Sequence, residues 1–167
     1  MDLYFIRHGL AGQHGDYAND RERPLTDEGK RKTRQVAQQL HGLGLRFDLI
    51  LTSPLARAKQ TAEILRAEGL GKQLEEAEYL APGGDLQPWL NWLGTWRSPD
   101  KVLALVGHEP DLSTWAELLV WGNAHGNLVL KKAGAIAVTI PDSGSPIATS
   151  RLFWLTSPRF LLGHEKK

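Results

Sequence analysis

Two histidines and three arginines in this chain occur where they could do chemistry together. Arg7-His8-Gly9 follows the apolar run Leu3–Ile6. Ser53-Pro54 closes the run from Phe47 to Leu51 and leads into Arg57. Gly107-His108-Glu109-Pro110 follows the run Val102–Val106, and Arg23 lies in the polar, glycine-containing stretch 11–25. Arginine offers a planar fork of donors matched to phosphate oxygens. Pro110 stands where a first helical position is expected, and the free amides of such a helix would add a second anion-binding device. A tetrahedral dianion suits this set better than a neutral ligand. One neutral imidazole could then attack phosphorus while the other, protonated, stabilises the transferring oxygens.

For these residues to meet, the runs that carry them must lie side by side. The first run reads as a strand, and residues 11–25 as a loop. Thr26 is an N-cap ahead of a helix with Thr33, Val36, Ala37 and Leu40 on one face, ended by Gly42 and Gly44. A second strand covers Phe47 to Leu51, a helix 55–68, and a short strand Leu74 to Leu80. Pro82-Gly83-Gly84 breaks the chain, and Asp85 caps a helix carrying Trp89, Trp92, Leu93 and Trp96. Val102 to Val106 suits a strand buried on both faces, followed by a helix to about Trp121. Ala135 to Ile140 and Ile147 to Leu155 read as two strands joined by the turn-rich segment Pro141 to Pro146. Strands alternating with helices predict an α/β, three-layer sandwich: a mostly parallel central sheet with at least one antiparallel strand. In such sheets ligands bind beyond the carboxyl ends of the strands, where Arg7, His8, Arg57 and His108 would converge.

Composition bounds what the cluster can be. The chain has 167 residues, the size of one domain, and residues 1–167 are expected to form one. Twenty Lys and Arg face 19 Asp and Glu, so no global basic excess points to nucleic acid or an anionic membrane. There is no cysteine, which excludes disulfides, thiolate metal sites and a cysteine nucleophile. The first residues lack a basic region followed by an apolar one, and no apolar run reaches the roughly 20 residues of a membrane span. A cytoplasmic location is the default expectation, with a monomer or weak oligomer.

Arg7-His8-Gly9 after an N-terminal strand resembles the signature of the histidine phosphatase superfamily, the phosphoglycerate-mutase-like fold. The later blocks follow in order: Arg23-Pro24-Leu25-Thr26, then Ser53-Pro54-Leu55-Ala56-Arg57-Ala58-Lys59-Gln60-Thr61-Ala62, then Gly107-His108-Glu109-Pro110. Length, the Arg-Pro-Leu-Thr block and the Pro-Gly-Gly-Asp segment are most similar to the SixA-type phosphohistidine phosphatases. The resemblance implies that His8 is the nucleophile, its other ring nitrogen tied to a backbone carbonyl. It implies that Arg7 and Arg57 hold the phosphoryl oxygens, that Arg23 closes the pocket, and that His108 stabilises charge from the opposite side. Gly9 and Gly107 would keep bulk away from the substrate, with Gly9 among the phosphate-binding residues. Water would then hydrolyse phospho-His8, with no metal and no cofactor.

Larger branches of the superfamily place an acidic proton donor after the third strand. The candidates here are Glu75, Glu76, Glu78 and Asp85, of which Asp85 and Glu78 are retained as possible acids, and none sits in a clear motif. An alkoxide leaving group needs protonation, whereas the imidazole of a phosphohistidine is far less basic. A weak acid therefore favours a P–N substrate. A short chain without room for a long lid implies an open pocket that admits a histidine presented by another protein, such as a phosphotransfer domain or carrier. A phosphatase of small phosphoesters and a non-catalytic module that binds phosphorylated partners are the alternatives.

Other features have plainer readings. Trp89, Trp92 and Trp96 form a helical stripe that reads as core, the alternative being a docking surface. Glu109 reads as a solvated or ion-paired neighbour of His108. His14, His41, His125 and His164 have no matching context, although His14 could line the mouth. Leu161 to Lys167 read as a fraying end.

Overall fold

A computed structural model describes residues 1–163; His164 and the last residues of the expected fraying tail lie outside the described residues. Six strands form one sheet in the order β3-β2-β4-β1-β5-β6. They are β1 (Asp2–Arg7), β2 (Leu49–Thr52), β3 (Leu74–Glu76), β4 (Val102–Gly107), β5 (Ala135–Thr139) and β6 (Arg151–Thr156). β3, β2, β4 and β1 are parallel, and β5 runs antiparallel to both of its neighbours. The helices are α1 (Asp27–Gly42), α2 (Ala56–Ala67), α3 (Leu86–Trp96), α4 (Asp111–Trp121) and α5 (Pro158–Leu162).

The alternation of side chains along the central strands builds two cores. On β1 and β4, Leu3, Phe5, Leu103 and Leu105 face one side and pack with Trp89, Leu93, Leu112, Trp115 and Leu119 of α3 and α4. Tyr4, Ile6, Ala104 and Val106 face the other side and meet Val36, Ala37, Leu40, Ala58, Ala62 and Leu65 of α1 and α2. Each fully buried Leu or Ile contributes about 1.5–3 kcal/mol, so the paired cores hold the strand ends rigidly. Both flanks being covered gives the expected three layers. Among the described residues, no helix is long and apolar enough to cross a membrane.

Local signals act as expected in several places. Thr26 accepts the Gly29 amide and starts α1; Asp85 accepts the Gln87 amide and starts α3. Trp89 is fully buried, while Trp92 and Trp96 are partly buried and stack at 5.3 Å, with Lys101 over the Trp96 ring. The last two strands depart from the expectation. β6 begins at Arg151 rather than Ile147, because residues 148–150 turn back onto α4. There the Ala148 and Ser150 amides bond to the Leu118 and Leu119 carbonyls. The apolar segment is used partly as a cap for α4, which no periodicity announces. The expected strand Leu74 to Leu80 stops at Glu76 and becomes a single 3-10 turn, Glu78–Leu80.

Candidate active site

β1, β2 and β4 are adjacent and parallel, so their carboxyl ends deliver Arg7-His8, Ser53 and Gly107-His108 to one edge of the sheet. The first turn of α2 adds Arg57. The His8 and His108 rings lie 5.2 Å apart between centroids, and both side chains are buried. His8 Nδ1 is 2.7 Å from the Gly9 carbonyl. A carbonyl only accepts, so the proton sits on Nδ1 and Nε2 keeps its lone pair. Burial pushes His8 down to about 3, against the pull of the Gly9 bond; His108, Arg57 and Arg7 lower it further. The ring is a neutral imidazole at ordinary pH, the form that can attack.

His108 Nε2 lies 2.8 Å from Ser53 Oγ, and the same Oγ accepts the Leu55 amide at 3.3 Å. Among the described residues the buried Ser53 hydroxyl has no other acceptor, so its proton goes to Nε2, which leaves the His108 proton on Nδ1. That atom is buried without a partner, as are Arg7 Nε and Arg57 Nε. Three orphan donors at one strand-end cluster call for an anion. His108 was expected to be protonated. Instead burial, then Arg57, hold it down to about 3, with Arg23 and Arg7 adding to this and Asp20 opposing it. It works as a neutral donor in the free protein, because a positive ring buried beside three guanidiniums is disfavoured.

Arg7 is held by the Leu130 carbonyl at 3.0 Å, in the segment between α4 and β5. Arg57 is almost fully buried; its Nη1 donates to the Asp20 carbonyl at 2.9 Å and its Nη2 pairs with Asp20 Oδ2 at 3.1 Å. Arg23 donates through Nε to Asp20 Oδ1 and through Nη1 to the Gly12 carbonyl, both at 2.8 Å. The loop 11–25 thus folds over the site on its own polar residues. The Ala11–Leu25 bridge pins it at the neck, and the Arg21–Glu78 ion pair joins it to the turn after β3.

Four expectations need correction. Gly9 does not offer its amide to a ligand: it donates to Thr61 Oγ1, whose hydroxyl is held by the Arg57 carbonyl. A β-carbon on Gly9 would collide with Thr33 Oγ1, and one on Gly107 would press on Leu112, so both glycines serve helix packing rather than ligand access. The Leu112 and Thr114 amides at the start of α4 are spent on the His108 and Pro110 carbonyls, and the Ser113 amide on the Glu109 carboxylate, which also accepts the Ser113 hydroxyl. Neither candidate acid is poised to give a proton. The Arg21 pair holds the exposed Glu78 carboxyl below its usual range, and Asp85 is the cap of α3. Glu76 pairs with Lys59 and Glu75 is exposed at the sheet edge.

Asp20, Ser53 and Lys132 were not anticipated. Asp20 stands three residues before Arg23, a spacing that suits an ion pair and was the available signal. Ser53 was read as the end of a strand and the head of a motif block, with no role of its own at the site. Lys132 is lowered by burial and by Arg7 and Arg23, which places its charge near theirs. His14 Nδ1 lies 3.0 Å from Asp20 Oδ1 with its ring exposed. Among the described residues, no group of three or more His, Asp or Glu could hold a metal ion.

A family description, the histidine phosphatase superfamily (branch 1), matches residues 3–81. The structure of a protein histidine phosphatase SixA, complexed with tungstate, superposes with a TM-score of 0.84 at 26% identity, covering 96% of this chain and 99% of that one. The chain belongs to the histidine phosphatase superfamily. Within it the similarity is SixA-like. The SixA phosphohistidine phosphatase of Escherichia coli strain K12 is 36% identical over 87 residues, about half of each chain. An uncharacterized protein of Picosynechococcus is 50% identical over 164 residues, 97% of this chain and 99% of that one. A phosphoserine phosphatase of Entamoeba histolytica shares the fold (TM-score 0.71, 18% identity, 96% of this chain and 99% of that one). The superfamily makes the chain a phosphatase, a hydrolase; the fold is common to enzymes of differing substrate.

Proposed function

We propose that this phosphatase removes phosphoryl groups from histidine side chains of other proteins, through a phosphohistidine on His8. The observation that carries the reading is the pair of neutral, buried imidazoles in which His8 presents a lone pair on Nε2. Beside it, Arg7 Nε, Arg57 Nε and His108 Nδ1 are buried without partners. In the first step His8 Nε2 forms a bond to phosphorus, and the P–N bond of the substrate breaks. The leaving imidazole departs neutral, keeping on its other nitrogen the proton that the phosphohistidine already carried. Arg7, Arg57 and the Nδ1–H of His108 meet the charge on the equatorial oxygens. Water then attacks phospho-His8, the new P–N bond breaks, and orthophosphate leaves while His8 returns to its neutral form. As drawn, the reaction uses no metal or cofactor.

The carboxylates favour a P–N substrate over an ester. An ester needs an acid at its leaving oxygen, but Glu78 is held ionised by Arg21. Burial raises Glu109, next to His108, yet both of its oxygens are engaged by Ser113. The partner we propose is a phosphotransfer domain or phosphocarrier that presents its histidine to the strand-end cluster, in the cytoplasm. Phosphate release from a phosphohistidine-bearing protein, compared with a panel of phosphoesters, tests this. Fast release from the protein substrate, abolished by His8→Ala, is expected. Faster turnover of any ester overturns the substrate reading, and full activity in His8→Ala overturns the site.

A further inference from the structure

The phosphoryl-binding arginines already have an anion. Asp20 Oδ1 accepts from Arg23 Nε at 2.8 Å and Oδ2 pairs with Arg57 Nη2 at 3.1 Å, while its own carbonyl takes Arg57 Nη1 at 2.9 Å. Two guanidiniums converge on one carboxylate at the edge where His8 and His108 meet. We propose that Asp20 sets the phosphoryl affinity of the site, as a resident counter-charge that an incoming dianion must share with, or displace from, Arg23 and Arg57. The proposal rests on the reading of the cluster as a phosphoryl site.

Several observations support it. The Asp20 side chain is 37% exposed, so it is not a buried structural anion but a group on the open side of the cluster. Hydrogen bonding to Arg23 leads the causes that hold its carboxyl down to about 2, with His14 and Arg57 helping against some burial, so it carries its full charge whenever the site is empty. It acts on His108 as a charge, raising that ring while the arginines lower it, which puts it in the field of the second histidine. Without it, Arg7, Arg23, Arg57 and Lys132 would place four positive charges around the two neutral rings. Such a field would hold the product orthophosphate as firmly as the substrate. A carboxylate in the same field lowers affinity for every anion, and for product it hastens release. The loop that carries it is anchored by the neck bridge, the Arg21–Glu78 pair and the Arg57 bond to the Asp20 carbonyl, so sharing or displacement falls to the partly exposed carboxylate rather than to the backbone.

Calorimetric titration of orthophosphate at pH 8, where it is a dianion, tests the idea on wild type, Asp20→Asn and Asp20→Ala. Asparagine keeps an acceptor for Arg23 and removes the charge; alanine removes both. Both variants are expected to bind orthophosphate at least about tenfold more tightly, the scale of relieving a like-charge contact. In turnover they should show a lower KM and stronger inhibition by phosphate. If Asp20 instead only positions the arginines, both variants bind phosphate more weakly, and the proposal fails. Equal affinity in all three proteins also overturns it, while leaving the phosphoryl site intact. No binding by any of the three overturns both the proposal and the site it rests on.

Discussion

Replacing Ser53 by alanine tests how His108 is held. Ser53 is fully buried, and its Oγ is the partner recorded for His108 Nε2, at 2.8 Å. With no other acceptor for its own proton among the described residues, the Ser53 hydroxyl keeps the His108 proton on Nδ1, the buried atom without a partner. Alanine leaves Nε2 stranded in the interior, at a cost of about 1–3 kcal/mol. The ring recovers nothing by keeping its tautomer, so the proton is free to move to Nε2. A lone pair would then face the phosphoryl oxygens where a donor stood. Loss of one preorganised donor costs about 10²–10³ in kcat. Part of the population keeps the productive tautomer, so we expect kcat to fall about 10–100-fold with KM changed little. The assay pairs steady-state kinetics with the ¹⁵N spectrum of labelled protein, in which the two nitrogens of His108 report where the proton sits. A thermal melt separates this from simple destabilisation. An unchanged kcat with the His108 proton still on Nδ1 would refute the reasoning.

Two further outcomes follow from buried charges and neutral rings. His8 and His108 have folded values of about 3, whereas an unfolded histidine titrates near about 6.5. The unfolded chain therefore binds more protons between these values. Stability from the two rings is complete above about pH 6.5 and is lost as pH falls toward 3, by up to about 2.7 kcal/mol per unit for two protons. Denaturant midpoints between pH 7 and 4 measure it; an identical slope in the His8→Ala, His108→Ala double variant would show that other groups are responsible. Glu117 of α4 is buried and accepts the amides of His125, Gly126 and Leu128. Those bonds outweigh its burial and keep it ionised, so Glu117→Ala should cost roughly 3 kcal/mol or more. The same segment runs to Leu130, whose carbonyl holds Arg7, so phosphate affinity should fall as well. An unfolding free energy from urea titration within about 0.5 kcal/mol of wild type, the range of a surface substitution, would sink this account.

The layer architecture was legible because the apolar runs Leu3–Ile6 and Val102–Val106 can be satisfied only inside a covered sheet, and Thr26 and Asp85 mark helix starts by a purely local bond. Ile147 to Ser150 misled for the opposite reason. The apolar start Ile147-Ala148 ahead of the Arg151–Thr156 run reads as an extension of the strand, but the Ala148 and Ser150 amides find partners on the end of α4, a choice made by proximity in three dimensions. Glu109 and Pro110 misled similarly. The helix start was marked, but the Glu109 carboxylate takes the Ser113 amide and the His108 and Pro110 carbonyls take those of Leu112 and Thr114, amides that were to bind an anion.

What the sequence by itself determined are the residue types at the ends of three strands: a histidine at two, an arginine or serine beside them, and the cationic demand for an oxyanion. These are local facts, carried by spacing against short apolar runs. Only the tertiary structure decided the charge and proton positions that make the cluster reactive. Two histidines 100 residues apart become neutral because folding buries them together among guanidiniums, and desolvation penalises a charge whatever its neighbours in sequence. The Gly9 carbonyl and the Ser53 hydroxyl select opposite roles for the two rings, a lone pair on one and a donor on the other. Asp20, one carboxylate among several in a polar loop, gains its place at the site because the fold brings Arg57 to within 3.1 Å of it.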